Sequence, residues 1–331
     1  MREQKFCLGI ETTAHTFGIS VVSFSGEILS NEKHVFTTEQ GGMIPNEVAR
    51  HHEQWKDQVL KSALEKANVK LSQMNLISVS QGPGLAPALL IGMRYAKELS
   101  KKLSIPLVGV NHCIAHLEIG NLVTASVDPV LLYVSGVNTQ VIAYEGGKYR
   151  IFGETLDIGA GNFLDQFARA LGIGFPGGPK IEALAKKGKQ YVPLPYCVKG
   201  MDITLGGILT NLKQKIASGK YRKEDLAYSA QETVFAMLVE TAERAMAHCD
   251  KDELLLGGGV CCNKRLQEMA IKMCKARNAK CFIPPNSLLV DNAAMIAWQG
   301  ILEHKAGKSA DLETIDIKPY WRTDQVEVIW R

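Results

Sequence analysis

The stretch FCLGIETTAHTFGISVVSFSGEILSNEKHV, residues 6–35, decides the fold. Two apolar runs, FCLGI and GISVVSF, are joined by a polar loop, and the Ser25-Gly26 pair then turns the chain into EILSNEKHV. Short β-rich runs separated by turn residues predict a three-strand meander. The pattern recurs at residues 130–156, VLLYVSGVNTQVIAYEGGKYRIFGETL, with a glycine-containing turn and a Gly146-Gly147 turn. Helical stretches follow each copy, at 45–67 and 89–103 after the first and at 162–172, 179–188 and 231–249 after the second. Shorter strand candidates, 76–82, 107–111 and 253–259, lie between the helices. Alternating strand and helix predicts a largely parallel sheet in each lobe.

Two α/β lobes that each open on a hairpin meander resemble the duplicated fold of actin, sugar kinases and heat-shock chaperone ATPases. In that fold the two hairpin turns face a central cleft and clamp phosphates. The expected division is a first lobe over 1–127, with part of 300–331 packed on it, and a second lobe over 128–299.

The composition suits such a chain. Of 331 residues, 46% are apolar and 22% charged, enough for a large folded core. The formal net charge of +4 permits a nucleic-acid partner without arguing for one. No run approaches 18 apolar residues, so no membrane span is expected. The opening MREQKFCLGIETT lacks the features of a signal peptide. The eight cysteines include no CxxC, which argues against a zinc ribbon or a thioredoxin-type site. Reduced thiols in a cytoplasmic protein are expected.

Three glycine-rich loops precede helices: SQGPGLAPALLIGMRYA (80–96), GIGFPGGPKIEAL (172–184) and ELLLGGGVCCNKRLQEMA (253–270). Glycine lets a backbone approach a ligand, and a helix start offers N–H groups to an anion. Tight turns need glycine too, and Asn263 is as suited to capping a helix as to touching a ligand. Five such junctions, counting the two meander turns, favour a nucleotide site without naming a reaction.

GVNHCIAHLEIG, residues 109–120, holds His112 and His116 four apart, one turn apart on one helix face. A gluzincin protease needs glutamate directly after its first histidine, and Cys113 stands there. Glu118 follows the second histidine on the wrong turn. A metal pair needs a third ligand, and Asp291 in PPNSLLVDNAAMIAW is the best candidate, with helix capping as its alternative role.

These segments together resemble the universal tRNA threonylcarbamoyladenosine transferases. The family is TsaD-like, includes the catalytic subunit of the archaeal and eukaryotic KEOPS complex, and was formerly labelled O-sialoglycoprotein endopeptidase. The resemblance runs nearly end to end, through LGIETTAHTFGISVV, GGMIPNEVARHH, LYVSGVNTQ, DIGAGNFLDQFAR, PGGPKIE, LLLGGGVCCN, VDNAAMIAW and RTDQVEVIWR. It implies the actin-like two-lobe fold and one divalent metal ion, iron or zinc with magnesium as an option, on His112, His116 and Asp291. Tyr133 joins the ligands in the archaeal and eukaryotic branch. It implies an adenine nucleotide (threonylcarbamoyl-AMP, ATP or AMP) at Tyr133, Val134, Ser135, Gly136 and Val137, and at Asp165, Gly178, Glu182 and Asn263.

The implied reaction moves threonylcarbamoyl from threonylcarbamoyl-AMP to N6 of the adenine 3′ of a tRNA anticodon. His15 and Glu11, on the first hairpin turn, are the candidate catalytic groups. The implied partners are tRNA, a small protein kinase/ATPase subunit, a dimerising subunit and an accessory subunit, and the kinase is fused after this domain in some archaea. Basic surface for the anticodon arm is offered by 186–190, 213–223 and 263–280.

Three positions depart from the family pattern. Val137 replaces the second glycine of an SGGNT turn, Leu205-Gly206-Gly207 replaces Phe-Ser-Gly, and Cys261-Cys262 replaces small residues. The competing readings are a metalloendopeptidase, a small-molecule kinase of the same fold, and a non-catalytic ATP-binding scaffold.

Overall fold

The computed structural model describes residues 4–38 and 43–331; Gly41 and Gly42 of the GGMIPNEVARHH segment lie outside the described residues. The described chain divides into two compact units. The first takes residues 4–36, 43–123 and 291–331, and the second takes 37–38 and 124–290.

The first unit runs β1 (Phe6–Glu11), β2 (Thr16–Ser23), β3 (Ile28–Val35), α1 (Pro45–Ala67), β4 (Met74–Gly82), α2 (Ala86–Leu103), β5 (Leu107–Asn111) and α3 (His112–Thr124). Its sheet order is β3-β2-β1-β4-β5. The second unit runs β6 (Val130–Val134), β7 (Thr139–Glu145), β8 (Lys148–Glu154), α4 (Ala160–Ala170), α5 (Gly178–Ala185), β9 (Val198–Lys199), β10 (Asp202–Ile203), α6 (Gly206–Ala217), α7 (Lys223–His248), β11 (Glu253–Gly257), α8 (Lys264–Ala276), β12 (Lys280–Phe282) and α9 (Asn286–Leu289). Its main sheet, β12-β11-β6-β7-β8, repeats the first, with β6 in the place of β1.

The expected duplication is therefore present, and the expected largely parallel sheet is corrected. In each sheet the meander pairs antiparallel, and only the strands that enter after a helical crossover pair parallel. A short turn joins antiparallel neighbours, whereas a parallel pair needs a crossover. The small strands β9, β10 and β12 are too short to carry a period-two signal.

The chain returns to the first unit at Asp291, earlier than the expected 300, because α10 (Ala293–Lys305) packs on β1, β2 and β4. The other division falls at 123/124, against the expected 127/128. Strand alternation explains how β1 serves both its faces. Leu8 and Ile10 join a core with Ala63, Met93, Ala96 and Leu99 of α1 and α2. Gly9 faces the other way, so close to α10 that a Cβ there would lie 2.2 Å from the Ala293 carbonyl oxygen. Gly300 answers from the helix side, where a Cβ would meet Ser78 Oγ at 2.2 Å. Ser78 Oγ donates to the Ile296 carbonyl at 2.7 Å, closing the seam. With both faces covered, every residue of β1 is buried.

No helix of the described residues is long and apolar enough to cross a membrane. All eight cysteines are free thiols.

Two expectations about stability follow from this packing. Gly9→Val drives a branched side chain into the α10 backbone, so it is expected to destabilise the protein by about 3 kcal/mol or more, read as a lowered unfolding midpoint in urea. His52, fully buried on α1, has its pKa drawn down to about 3, first by burial and then by the neighbouring His51. The unfolded chain takes up that proton near 6.5, so the contribution of His52 is intact above 6.5 and is lost as the pH falls from there toward 3. The expected slope is about 1.4 kcal/mol per pH unit, and His52→Gln should remove it from the acid-stability curve.

Candidate metal centre

β5 delivers the chain into α3 through Asn111, whose Oδ1 accepts from the N–H of Cys113 at 3.0 Å and of Ile114 at 3.2 Å. This cap starts the helix at His112. The four-residue spacing then brings the two histidines together on one face as expected, edge to face with ring centroids 4.8 Å apart at 79°. Asp291 comes from the far end of the chain. It does not cap α10; Asn292 does, accepting from Met295 N–H at 3.0 Å. Asp291 Oδ1 lies 3.4 Å from His112 Nε2 and 3.6 Å from His116 Nε2, and Oδ2 lies 4.0 Å from His15 Nδ1. One donor atom from each of His112, His116 and Asp291 falls within a 4.8 Å group.

Glu11 stands behind this set. Its Oε2 accepts from His112 Nδ1 at 3.0 Å, which leaves Nε2 for Asp291. Its Oε1 accepts from the Thr13 N–H at 2.7 Å and from the Thr13 hydroxyl. Glu11 is fully buried with both oxygens engaged, and His15 sits half-buried beside Asp291.

The protonation pattern follows from these neighbours. Burial disfavours a charge on His112, but the Glu11 and Asp291 carboxylates outweigh it and hold its pKa well above the ordinary value. Burial lowers that of His116, and the charge on His112 adds to the effect. Burial would raise the Asp291 carboxyl, yet the His112 and His116 imidazoles beside it keep it well below the usual carboxylate range. The donor set is two imidazole nitrogens and a carboxylate oxygen, and a second carboxylate orients one imidazole. That combination fits a divalent transition-metal ion.

Neighbouring residues account for the other sequence signals. Cys113 is buried, so no carboxylate occupies the protease base position. Glu118 is spoken for at the C-terminal segment, accepting from Trp330 Nε1 at 2.9 Å. Gly82 and Gly84 admit protein rather than leaving a vacant loop. A Cβ on Gly82 would lie 1.9 Å from the Lys318 carbonyl oxygen, and one on Gly84 2.5 Å from that of Thr13.

The candidate nucleotide positions all lie in the second unit. Ser135 N–H donates to the Asn138 carbonyl at 2.8 Å, closing the β6–β7 turn. Val137 is exposed and keeps a negative φ, so the turn forms without the second glycine. The N–H groups of Gly161 and Asn162 at the start of α4 donate to the Ser135 and Gly136 carbonyls. Tyr133 and Val134 are buried on β6. Asp165 Oδ1 accepts from Gly177 N–H at 2.7 Å, and Glu182 Oε1 from Lys264 N–H at 3.3 Å, so α5 is tied to both α4 and α8. Gly178, between these ties, has open space where a Cβ would point, with only Leu164 Cδ1 at 3.9 Å. Asn263 is the N-cap of α8, its Oδ1 accepting from Arg265 N–H at 2.9 Å. The capping role was the alternative reading of this residue.

Several working residues were not singled out from sequence. Asn111 caps the helix that carries both histidines and Asn292 caps the helix that Asp291 precedes, and asparagine directly before a helix is a legible signal. Asp157 was missed altogether. Its carboxylate accepts from Leu205 N–H at 2.9 Å and Gly206 N–H at 2.6 Å, capping α6 from 48 residues away. No local pattern announces such a cap. Burial works against its charge, and those N–H groups hold its pKa below the usual value.

The duplicated sheet defines an actin-like ATPase fold, here with a His–His–Asp group, its two histidines buried, in the first unit. Solved structures agree on the fold. HypF from T. kodakarensis aligns with TM-score 0.62 at 16% identity, over 91% of this chain and 47% of that one. The (R)-2-hydroxyglutaryl-CoA dehydratase component A of Acidaminococcus fermentans aligns with TM-score 0.56 at 14% identity, over 91% of this chain and 99% of that one. A family profile, TsaD: tRNA N6-adenosine threonylcarbamoyltransferase, matches residues 26–298, and the chain belongs to that family. A relative from Thermococcus kodakarensis, named tRNA N6-adenosine threonylcarbamoyltransferase, is 54% identical over 98% of this chain and 99% of its own length. A Methanothermobacter thermautotrophicus relative, named probable bifunctional tRNA threonylcarbamoyladenosine biosynthesis protein, is 50% identical over 98% of this chain and 60% of its own length.

The donor set gives a direct expectation. Asp291→Ala should weaken binding of a divalent ion such as Co2+ by more than about 100-fold, beyond the loss typical of outer partners. Equilibrium dialysis on the folded variant checks it, and wild-type affinity in the variant would remove Asp291 from the donor set.

Proposed function

We propose that this chain transfers the threonylcarbamoyl group from threonylcarbamoyl-AMP to N6 of the adenosine 3′ of the anticodon in tRNA. The observation that carries the reading is the convergence of His112 Nε2, His116 Nε2 and Asp291 in a chain of this family.

An adenine N6 amine is a weak nucleophile, so the acyl group must arrive activated, and the mixed anhydride with AMP meets that need. His112, His116 and Asp291 would hold a divalent ion, iron or zinc by their donor types with magnesium as an option, and Tyr133 is the proposed fourth ligand. Such an ion, when bound, polarises donor oxygens as a Lewis acid. Glu11 keeps the His112 ring aimed by accepting a hydrogen bond from its Nδ1–H, and Thr13 fixes the Glu11 carboxylate in turn. His15, beside Asp291, is the proposed proton acceptor near the reacting amine. In the second unit, the Ser135–Val137 turn and the cradle of Asp165, Gly178, Glu182 and Asn263 would take the adenosine of the donor. The open side of Gly178 supports this, since a ribose or base can approach its backbone. Holding donor and acceptor together supplies much of the rate in such a transfer.

The basic segments 186–190, 213–223 and 263–280 are the proposed tRNA surface, within a cytoplasmic enzyme. The kinase/ATPase, dimerising and accessory subunits of the KEOPS complex are the proposed partners. The bifunctional name and greater length of the Methanothermobacter relative support a further fused or associated activity. A protease would need a base where Cys113 stands, and a plain kinase has no use for the histidine pair.

Labelled threonylcarbamoyl-AMP, unmodified tRNA and the partner subunits test the reading with wild type beside His112→Ala. Wild type is expected to transfer label, and the variant to transfer at least about 100-fold more slowly. No transfer by folded, metal-loaded wild type overturns the function, and equal transfer by both returns the histidines to a structural role.

A further inference from the structure

Beneath the turn that carries Thr13 and His15 lies a chain of three imidazoles that the reaction above does not use. His52 Nε2 lies 3.0 Å from the Ala14 carbonyl oxygen. His52 Nδ1 lies 3.1 Å from His51 Nδ1, and His51 Nε2 lies 2.6 Å from His34 Nδ1. A carbonyl only accepts, so His52 must carry its proton on Nε2 and accept at Nδ1. His51 must then donate from Nδ1 and accept at Nε2, and His34 must donate from Nδ1. One fixed point therefore sets three tautomers, provided the rings are neutral. Burial keeps them so: His52 is pushed down to about 3 and His51 to about 4, and His34 is lowered as well. The outer end is fixed by packing, with His34 stacked on Trp55 at 3.6 Å and 10°.

The inner end holds the backbone of the site. In the turn between β1 and β2, three successive carbonyls, those of Thr13, Ala14 and His15, are each engaged by a different element. Leu85 N–H donates to the Thr13 carbonyl at 2.7 Å, Phe36 N–H to that of His15 at 2.8 Å, and His52 to that of Ala14. The Ala14 tie is the only one of the three made by a side chain. On this turn Thr13 holds Glu11, which orients His112, and His15 faces Asp291.

We propose that His52, locked in one tautomer by His51 and His34, is a positioning residue that fixes the Thr13–His15 turn and through it the aim of His112 at the metal donors. The proposal rests on the metal reading and goes beyond it, because it assigns work to residues outside the donor set.

The two side-chain amides separate the ends of the chain. His52→Gln keeps an N–H at the reach of Nε2, whereas His52→Asn keeps a polar atom only at the reach of Nδ1. Co2+ affinity and visible spectrum are measured on the full chain, beside amide hydrogen exchange of residues 12–16. His52→Asn is expected to lose about 10-fold in Co2+ affinity, with faster exchange in the turn, and His52→Gln to restore both nearly to wild type. If His52→Asn fails to fold, His51→Leu, at a half-buried position, frees the His52 ring and is expected to raise turn exchange while leaving the fold intact. Wild-type exchange and Co2+ affinity in a folded His52→Asn or His51→Leu protein overturns the proposal, as does a His52→Gln protein no better than His52→Asn. Failure of wild type to bind Co2+ at all would strike the metal reading, and the exchange of the turn would then decide the brace by itself.

Discussion

The seating of α10 on β1 is the contact on which the site depends. Gly9 of β1, close against α10, and Gly300 of α10, close against Ser78 of β4, let the helix settle onto the sheet. That approach fixes where α10 begins, and Asp291 stands two residues before its first turn. The same strand sends Glu11 out on the face it shares with Gly9. One packing surface thus brings a carboxylate from the start of the chain and another from near its end against the two histidines of α3. A larger residue in that seam would move Asp291 away from His112, and the donor group would open.

The charges buried there are tolerable because they compensate one another. A lone buried carboxylate or imidazolium is strongly disfavoured, whereas Glu11, His112 and Asp291 form an alternating row, anion beside cation beside anion. His112 Nε2 points at Asp291, so a metal ion held by this set would take the place of a proton shared between those two atoms. The second unit shows a different economy. Its candidate nucleotide positions are organised by backbone N–H groups at helix starts, with Asp165, Glu182 and Asn263 each holding one in place.

Some of this was legible in residue order and some was not. The meanders could be read because a period of two with turn residues between is a local property, and it appears twice. The pairing of His112 with His116 could be read because helical geometry alone puts residues four apart together. The extent of parallel pairing could not, since hydrogen bonds between strands depend on which edges meet. The glycines of SQGPGL illustrate the same limit. Their sequence announces a tight approach without saying to what, and the partners are the Lys318 and Thr13 carbonyls of this chain. Residue types and spacing suggest the donor set, and the resemblance to the transferase family agrees with it and implies the nucleotide positions.

By itself, the sequence determined the two repeated meanders, the helix that bears both histidines, the helix start at Asn263, and the family. Local rules of strand, turn and helix suffice for the structural features, because each involves residues within a few positions of one another. Only the tertiary structure decided that Asp291 faces the histidines instead of capping α10, that Glu11 is spent on orienting His112, that Asp157 caps a helix 48 residues away, and that three histidines brace one carbonyl. Each of those outcomes joins groups remote in the chain, and their meeting is set by how helices and sheet close over a common core.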